Sequence, residues 1–166
     1  MTRFVGLDPS TKTGVYIMDD AGNVIEAREI APKGKDPERM CRIVEDTLEC
    51  LLPNDIVAIE GFGFASQTGF LLGGIGWGLR MEMFARKIRY IEVAPAALKK
   101  YASGKGNTKK DELAVHIYKR WGFEHKSDNV RDAFVLAQIA RSIRLGTFDT
   151  KQQKEVLDAI LKPEAM

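Results

Sequence analysis

Three apolar runs crowd into the first thirty residues with only a few residues between them, and no other feature of the chain restricts its fold so tightly. Residues 3–7 form the first run, which ends at Asp8; residues 14–18, rich in Val, Tyr and Ile, form the second; residues 24–30 form the third, behind the turn Asp19-Asp20-Ala21-Gly22-Asn23. Parallel neighbours need a crossover of a dozen residues or more, so strands this close together predict an antiparallel meander. The pattern then changes. Residues 38–52 have helical spacing, with Met40, Ile43, Val44, Leu48 and Leu51 on one side, and Pro53-Asn54-Asp55 stops the helix. Residues 56–59 are a near-continuous apolar run closed by Glu60, the pattern of a strand buried on both faces.

Beyond a glycine-rich stretch, residues 80–87 read as helix and residues 88–93 as a fifth strand. Residues 95–101 read as a short helix, 103–108 as a flexible basic loop, and 109–121 and 129–145 as two further helices, the second capped by Ser127 or Asp128. The tail, residues 151–166, adds an amphipathic turn or frays. Three hairpin strands followed by alternating helix and strand predict an α/β fold with a five-stranded mixed sheet flanked by helices. No repeat or internal boundary is visible, so residues 1–166 read as one domain.

Composition removes several function classes. Cys41 and Cys50 lie without CxxC spacing in one predicted helix, and with only two histidines in the chain they make neither a zinc site nor a disulfide scaffold. Residues 61–79 carry no formal charge, long enough on paper for a membrane span, but seven glycines with Ser66, Gln67 and Thr68 are too polar and flexible for one. The opening MTRFVGLDPS has no apolar stretch of signal-peptide kind, and the cytoplasm is the expected compartment.

Asp8 closes the first strand, Glu60 closes the fourth, and Asp132 opens a helix whose stripe is otherwise apolar. Helical spacing places Asp132 with Val135, Leu136, Ile139 and Ile143, and puts Asp128 one turn earlier on that side. Each acid has an ordinary reading: Asp8 before Pro9-Ser10-Thr11 as a turn opener, Glu60 as a strand-end acid, Asp128 as a helix cap. Together they have another. A lone buried carboxylate costs several kcal/mol or changes its pKa, whereas a group of them is tolerable around divalent cations. Hard oxygen ligands with few histidines point to Mg²⁺ or Mn²⁺.

The segments Gly6-Leu7-Asp8-Pro9-Ser10-Thr11-Lys12-Thr13-Gly14, Ile59-Glu60 and Asp128-Asn129-Val130-Arg131-Asp132-Ala133-Phe134 resemble the RuvC family of Holliday-junction resolvases, within the ribonuclease H-like superfamily. The likeness runs from about Phe4 to Ile143. It implies a catalytic centre made by acids of the first strand, the fourth strand and the last catalytic helix, here Asp8, Glu60 and Asp132, holding two magnesium or manganese ions about 3.5–4 Å apart for in-line hydrolysis of a phosphodiester. A fourth acid stands three residues before the last in many cellular members, where this chain has Asn129. Asp128, at the four-residue spacing of phage-like relatives, is the candidate ligand and Asn129 the fallback. The resemblance also places Lys99 and Lys110 near the scissile phosphate.

Nine Lys and Arg residues against four acids lie between Lys99 and Arg131, a local excess of five in a chain whose net charge is only +2. The rest of the molecule is therefore net acidic. Lys105 and Lys109, among glycines, suit close approach to phosphates, although a solvated helix face has the same look. Phe62 and Phe64 follow Glu60 and would stack on unpaired bases at a branch point, or serve as core. Gly69, Gly73, Gly74 and Gly78 would let helices pack closely, and Met81, Met83 and Phe84 would line the core or a dimer surface. A homodimer would match the two-fold symmetry of a four-way junction. The expected function is a metal-dependent, structure-selective endodeoxyribonuclease acting on branched DNA. A non-catalytic branched-DNA-binding module, a nuclease for RNA–DNA hybrids and an actin-like nucleotide-binding fragment remain open beside it.

Overall fold

The structure, a computed structural model, describes residues 1–63 and 69–162. Five strands, β1 (Phe4–Asp8), β2 (Thr13–Met18), β3 (Val24–Ile30), β4 (Ile56–Glu60) and β5 (Tyr90–Val93), form one sheet in the order β3-β2-β1-β4-β5. The first three make the expected antiparallel meander, and β4 and β5 join β1's other side in parallel. Among the described residues six helices flank the sheet: α1 (Glu38–Glu49), α2 (Gly69–Ala85), α3 (Pro95–Ser103), α4 (Lys110–Trp121), α5 (Asp128–Leu145) and α6 (Lys151–Leu161). This is the mixed five-stranded α/β architecture that the sequence predicts.

Strand alternation sorts the side chains into two cores. Val5, Leu7, Val15, Ile17, Val57 and Ile59 pack on Ile43 and Leu48 of α1 and on Ile75, Leu79 and Met83 of α2. Phe4, Tyr16, Met18 and Ala58 face the opposite way, onto α3, α4, α5 and α6. Asp8 and Glu60 continue the second series, so alternation alone turns both carboxylates toward α5. That helix is the central one, buried on nearly all sides through Val130, Ala133, Phe134, Val135, Leu136, Ala137, Ile139 and Ala140. The sequence predicts a single apolar stripe there; coverage by the sheet below and α3, α4 and α6 around it explains the difference.

Several elements differ from their predicted bounds: α1 stops at Glu49 rather than residue 52, so Cys50 lies just past its end, and α3 runs to Ser103 rather than residue 101. Helix α2 begins at Gly69, eleven residues before the predicted start at residue 80. Glycine disfavours helix by about 1 kcal/mol per residue, but tertiary packing overrides propensity. A Cβ on Gly74 would come within 2.5 Å of Met40 Cε, and one on Gly78 within 2.9 Å of Val44 Cγ2, so these two glycines are notches that receive α1. Gly69 and Gly73 meet no described atom there. Strand β5 begins at Tyr90 rather than residue 88 because Lys87 takes a left-handed conformation (φ 59°) and the Ile88 amide bonds back to Met83 O. The α3–α4 loop, read as flexible, is braced: Thr108 Oγ1 lies 2.6 Å from Ser103 Oγ and donates to Lys105 O at 2.9 Å. The tail forms α6, capped by Thr150. Among the described residues no helix is long and apolar enough to cross a membrane.

Candidate active site

β1 and β4 run parallel in a register that pairs Leu7 with Ile59, so the next residues, Asp8 and Glu60, emerge side by side at one edge of the sheet. α5 crosses above that edge by its N-terminal turn and lowers Asp132 onto them. Each of the three side chains offers a carboxylate oxygen, and these oxygens all lie within 4.8 Å of one another. They open into a groove of about 340 Å³ whose walls include Phe62, Arg80, Lys99, Lys110 and Asn129.

Three acids this close cannot all ionise cheaply. Burial is the main force that raises the Asp8 pKa well above an ordinary aspartate, and the charge of Glu60 and a hydrogen bond to it add to the shift, with Asp132 and Asp128 contributing. Burial likewise lifts Asp132 to about 7, helped by the charges of Glu60 and Asp128 and opposed by Lys110 and Arg131. A pocket of hard oxygen donors that holds protons for want of positive charge fits a divalent cation of the magnesium or manganese kind.

The same shifts set a pH dependence. Between about pH 4 and pH 7 folded Asp132 keeps a proton that the unfolded chain releases, so raising the pH through this window favours unfolding. In EDTA the melting temperature of the wild type should therefore fall relative to that of Asp132→Asn as the pH rises from 5 to 8. Thermal melts of the two proteins in parallel check this; curves a constant distance apart would refute it.

Of the two lysines that line the groove, Lys110 is already engaged. Lys110 Nζ pairs with Asp128, which holds that carboxylate below the usual aspartate range and raises the lysine. Asp128 thus stands beside the three-carboxylate group rather than within it. Asn129 uses its amide as a brace, donating to Lys12 O at 2.8 Å and Ser10 Oγ at 3.3 Å, and so ties the β1–β2 turn to α5. Ser127, not Asp128, caps α5: its hydroxyl accepts from Val130 N and donates to Glu29 Oε2 at 2.6 Å. Lys99 lines the groove, while Lys105 and Lys109 lie exposed on the α3–α4 loop, outside its lining. Phe62 lines the groove and stacks on Trp77, with ring centroids 5.5 Å apart. Phe64 lies outside the described residues. Sequence reasoning misses Glu29, which carries no signal, and Arg80, whose signal is being the first charge after nineteen uncharged residues.

No family model matches the chain. A curated relative, the crossover junction endodeoxyribonuclease RuvC of Chloroherpeton thalassium, is 27% identical over 125 residues, covering 69% of this chain and 67% of the relative. The RuvC structure of Thermus thermophilus superposes with a TM-score of 0.70 at 22% identity, over 87% of this chain and 97% of that one. The chain is similar to RuvC in sequence and in fold. Its fold is the RuvC fold, which is ribonuclease H-like, and the same protein in complex with a Holliday junction superposes equally well, with a TM-score of 0.70 at 20% identity over 89% of this chain and 98% of that one. The Fowlpox virus resolvase, solved with Holliday junction DNA, is more distant, with a TM-score of 0.54 at 12% identity over 83% of this chain and 96% of that one.

Proposed function

We propose that the chain is a metal-dependent, structure-selective endodeoxyribonuclease of RuvC type that resolves four-way DNA junctions. The observation that carries this reading is the convergence of Asp8, Glu60 and Asp132, from two strands and a helix, in a groove walled by Lys99 and Lys110. The curated relative and both junction complexes support it. Asp8, Glu60 and Asp132 would hold the ions, two of them in this reading, magnesium or manganese. Bound there, such ions polarise the phosphodiester and offset the charge that builds on it during in-line displacement.

The chain's own groups divide the remaining work. Asp8, once deprotonated, would help to hold a cation, so protons and metal would compete for the centre. Lys110, paired with Asp128 in this structure, would turn to a substrate phosphate, and the Asp128 carboxylate would then be free to help hold the ions. Lys99 meets the same phosphate from α3, while Lys105 and Lys109 hold the backbone of a neighbouring arm. Phe62, with Trp77 stacked on it, borders the groove where an unpaired base at an open branch point would lie.

The partner copy in a homodimer would dock on α2. Met83 is buried in the core, but Phe70, Trp77, Met81 and Phe84 are exposed and recur at helical spacing along one face. Trp77→Lys combined with Phe84→Lys should convert a dimer to monomer in sedimentation and cut junction cleavage at least tenfold at low enzyme concentration. Identical sedimentation of the variant would remove this surface from the reading.

The deciding experiment offers a labelled four-way junction, a flap and an RNA–DNA hybrid to the protein with Mg²⁺ or Mn²⁺. Junction cleavage is the expected result. Junction binding without cleavage would indicate a non-catalytic module, and cleavage of the hybrid alone would indicate a ribonuclease H activity.

A further inference from the structure

Arg80 sits in the middle of an otherwise apolar helix and is only 2% exposed. A buried guanidinium is costly unless its donors are taken, and here all three nitrogens are used. Nε donates to Glu92 Oε1 on β5 at 2.5 Å, Nη1 to Gly76 O at 3.0 Å, and Nη2 to Glu60 O at 3.2 Å. The last acceptor is the main-chain carbonyl of the residue whose carboxylate completes the acidic cluster.

The same guanidinium covers the Phe62 ring, with its central carbon 4.3 Å from the ring centroid. The ring rests against the helix at Gly76, where a Cβ would come within 2.6 Å of Phe62 Cε1. Trp77 stacks on it. One cation therefore fastens the end of β4, the aromatic two residues beyond it, β5 and α2. An ion pair kept for stability alone would need none of the contacts to Glu60 and Phe62, and its partner Glu92 is half exposed.

We propose that Arg80 is a positioning residue for the carboxylate centre, fixing the strand end that bears Glu60 and the shelf that holds Phe62 as one rigid unit. This rests on the reading of the centre as a divalent-cation site. Groups that orient metal ligands from behind typically change metal affinity by about 10- to 100-fold when removed. An ammonium keeps the charge of Arg80 but cannot span three acceptors in a planar fork.

The test measures Mn²⁺ binding to the full chain without DNA, by electron paramagnetic resonance titration, in wild type, Arg80→Lys, Arg80→Met and Glu92→Gln, with melting curves alongside. Arg80→Lys should weaken Mn²⁺ at least about tenfold, and the ion concentration for half-maximal junction cleavage should rise in proportion. Glu92→Gln, which keeps an oxygen facing Nε, should weaken Mn²⁺ less and in the same direction. Should Arg80→Met fail to fold, these two variants decide. A folded Arg80→Lys with Mn²⁺ affinity within twofold of wild type overturns the proposal whatever its melting temperature, because a purely structural arginine changes stability and not affinity. Wild type that neither binds Mn²⁺ nor cuts a junction overturns the cation-site reading itself.

Discussion

Asp132→Asn should lower junction cleavage by at least about 1,000-fold, some 4 kcal/mol of barrier, while leaving junction affinity equal to or tighter than that of wild type. The amide matches the carboxylate in size, so packing beneath α5 is kept and only the charge is lost. Asp8→Asn should cut cleavage as deeply, and the double variant should be no worse than either single one, because ligands of one centre act as a unit. Stability should move the other way. In EDTA the wild type carries buried acids that repel one another, with Asp132 raised to about 7 by burial and by Glu60 and Asp128. Relief of one to two kcal/mol corresponds to a melting temperature higher by about 5 °C in a chain of this size. Opposite signs for activity and stability mark a functional cluster, since a structural acid would lose both. Cleavage assays under single-turnover conditions, electrophoretic mobility shifts and melts at pH 7.5 measure the three quantities. A variant that cuts at more than a tenth of the wild-type rate would end the assignment of Asp132 to the centre.

The strand ends were legible because the pattern that defines a buried strand also says where it stops. Asp8 and Glu60 interrupt apolar runs, and a parallel β1–β4 pair brings such interruptions to one edge. Asp132 stood out for the same reason, a charge set in an apolar helix. Other features depended on contacts remote in sequence. The Lys110–Asp128 pair spans 18 residues, and the Ser127–Glu29 bond spans 98. Neither has a local pattern. Helix α2 was hidden by its own composition: glycine lowers helix propensity, and only the presence of Met40 and Val44 on α1 turns Gly74 and Gly78 into sockets. Arg80 falls between these cases. Its position after an uncharged stretch was visible, but the three acceptors that occupy it come from α2, β4 and β5.

The glycines that bracket Asp8 owe their place to the helix above, and substituting them should damage the centre without touching an acid. A Cβ on Gly6 would lie 1.8 Å from Ala133 O and 2.7 Å from Ala137 N; on Gly14 it would lie 2.0 Å from Asn129 O. Those atoms are backbone, so no side-chain rotation can make room and α5 itself must lift. Gly6→Ala strikes the middle of α5 and should cost more than about 3 kcal/mol, toward the upper end of overpacking effects. Gly14→Ala strikes the first turn, where Asn129 ties α5 to the β1–β2 turn and where Asp132 is carried. Lifting that turn separates Asp132 from Asp8 and Glu60, and displacement of about 1 Å at a reacting centre costs about 100-fold in rate. Gly14→Ala should thus lose at least that much cleavage in the fraction that remains folded, and its Mn²⁺ affinity should fall with it. Gly73→Ala supplies the control. No described atom lies within 4 Å of a Cβ there, and alanine in place of glycine favours the helix, so its melting temperature should equal or exceed that of wild type. Gly14→Ala with unchanged cleavage and an unchanged melting temperature would mean that α5 does not ride directly on β2, and the route by which the fold delivers its third carboxylate would have to be drawn differently.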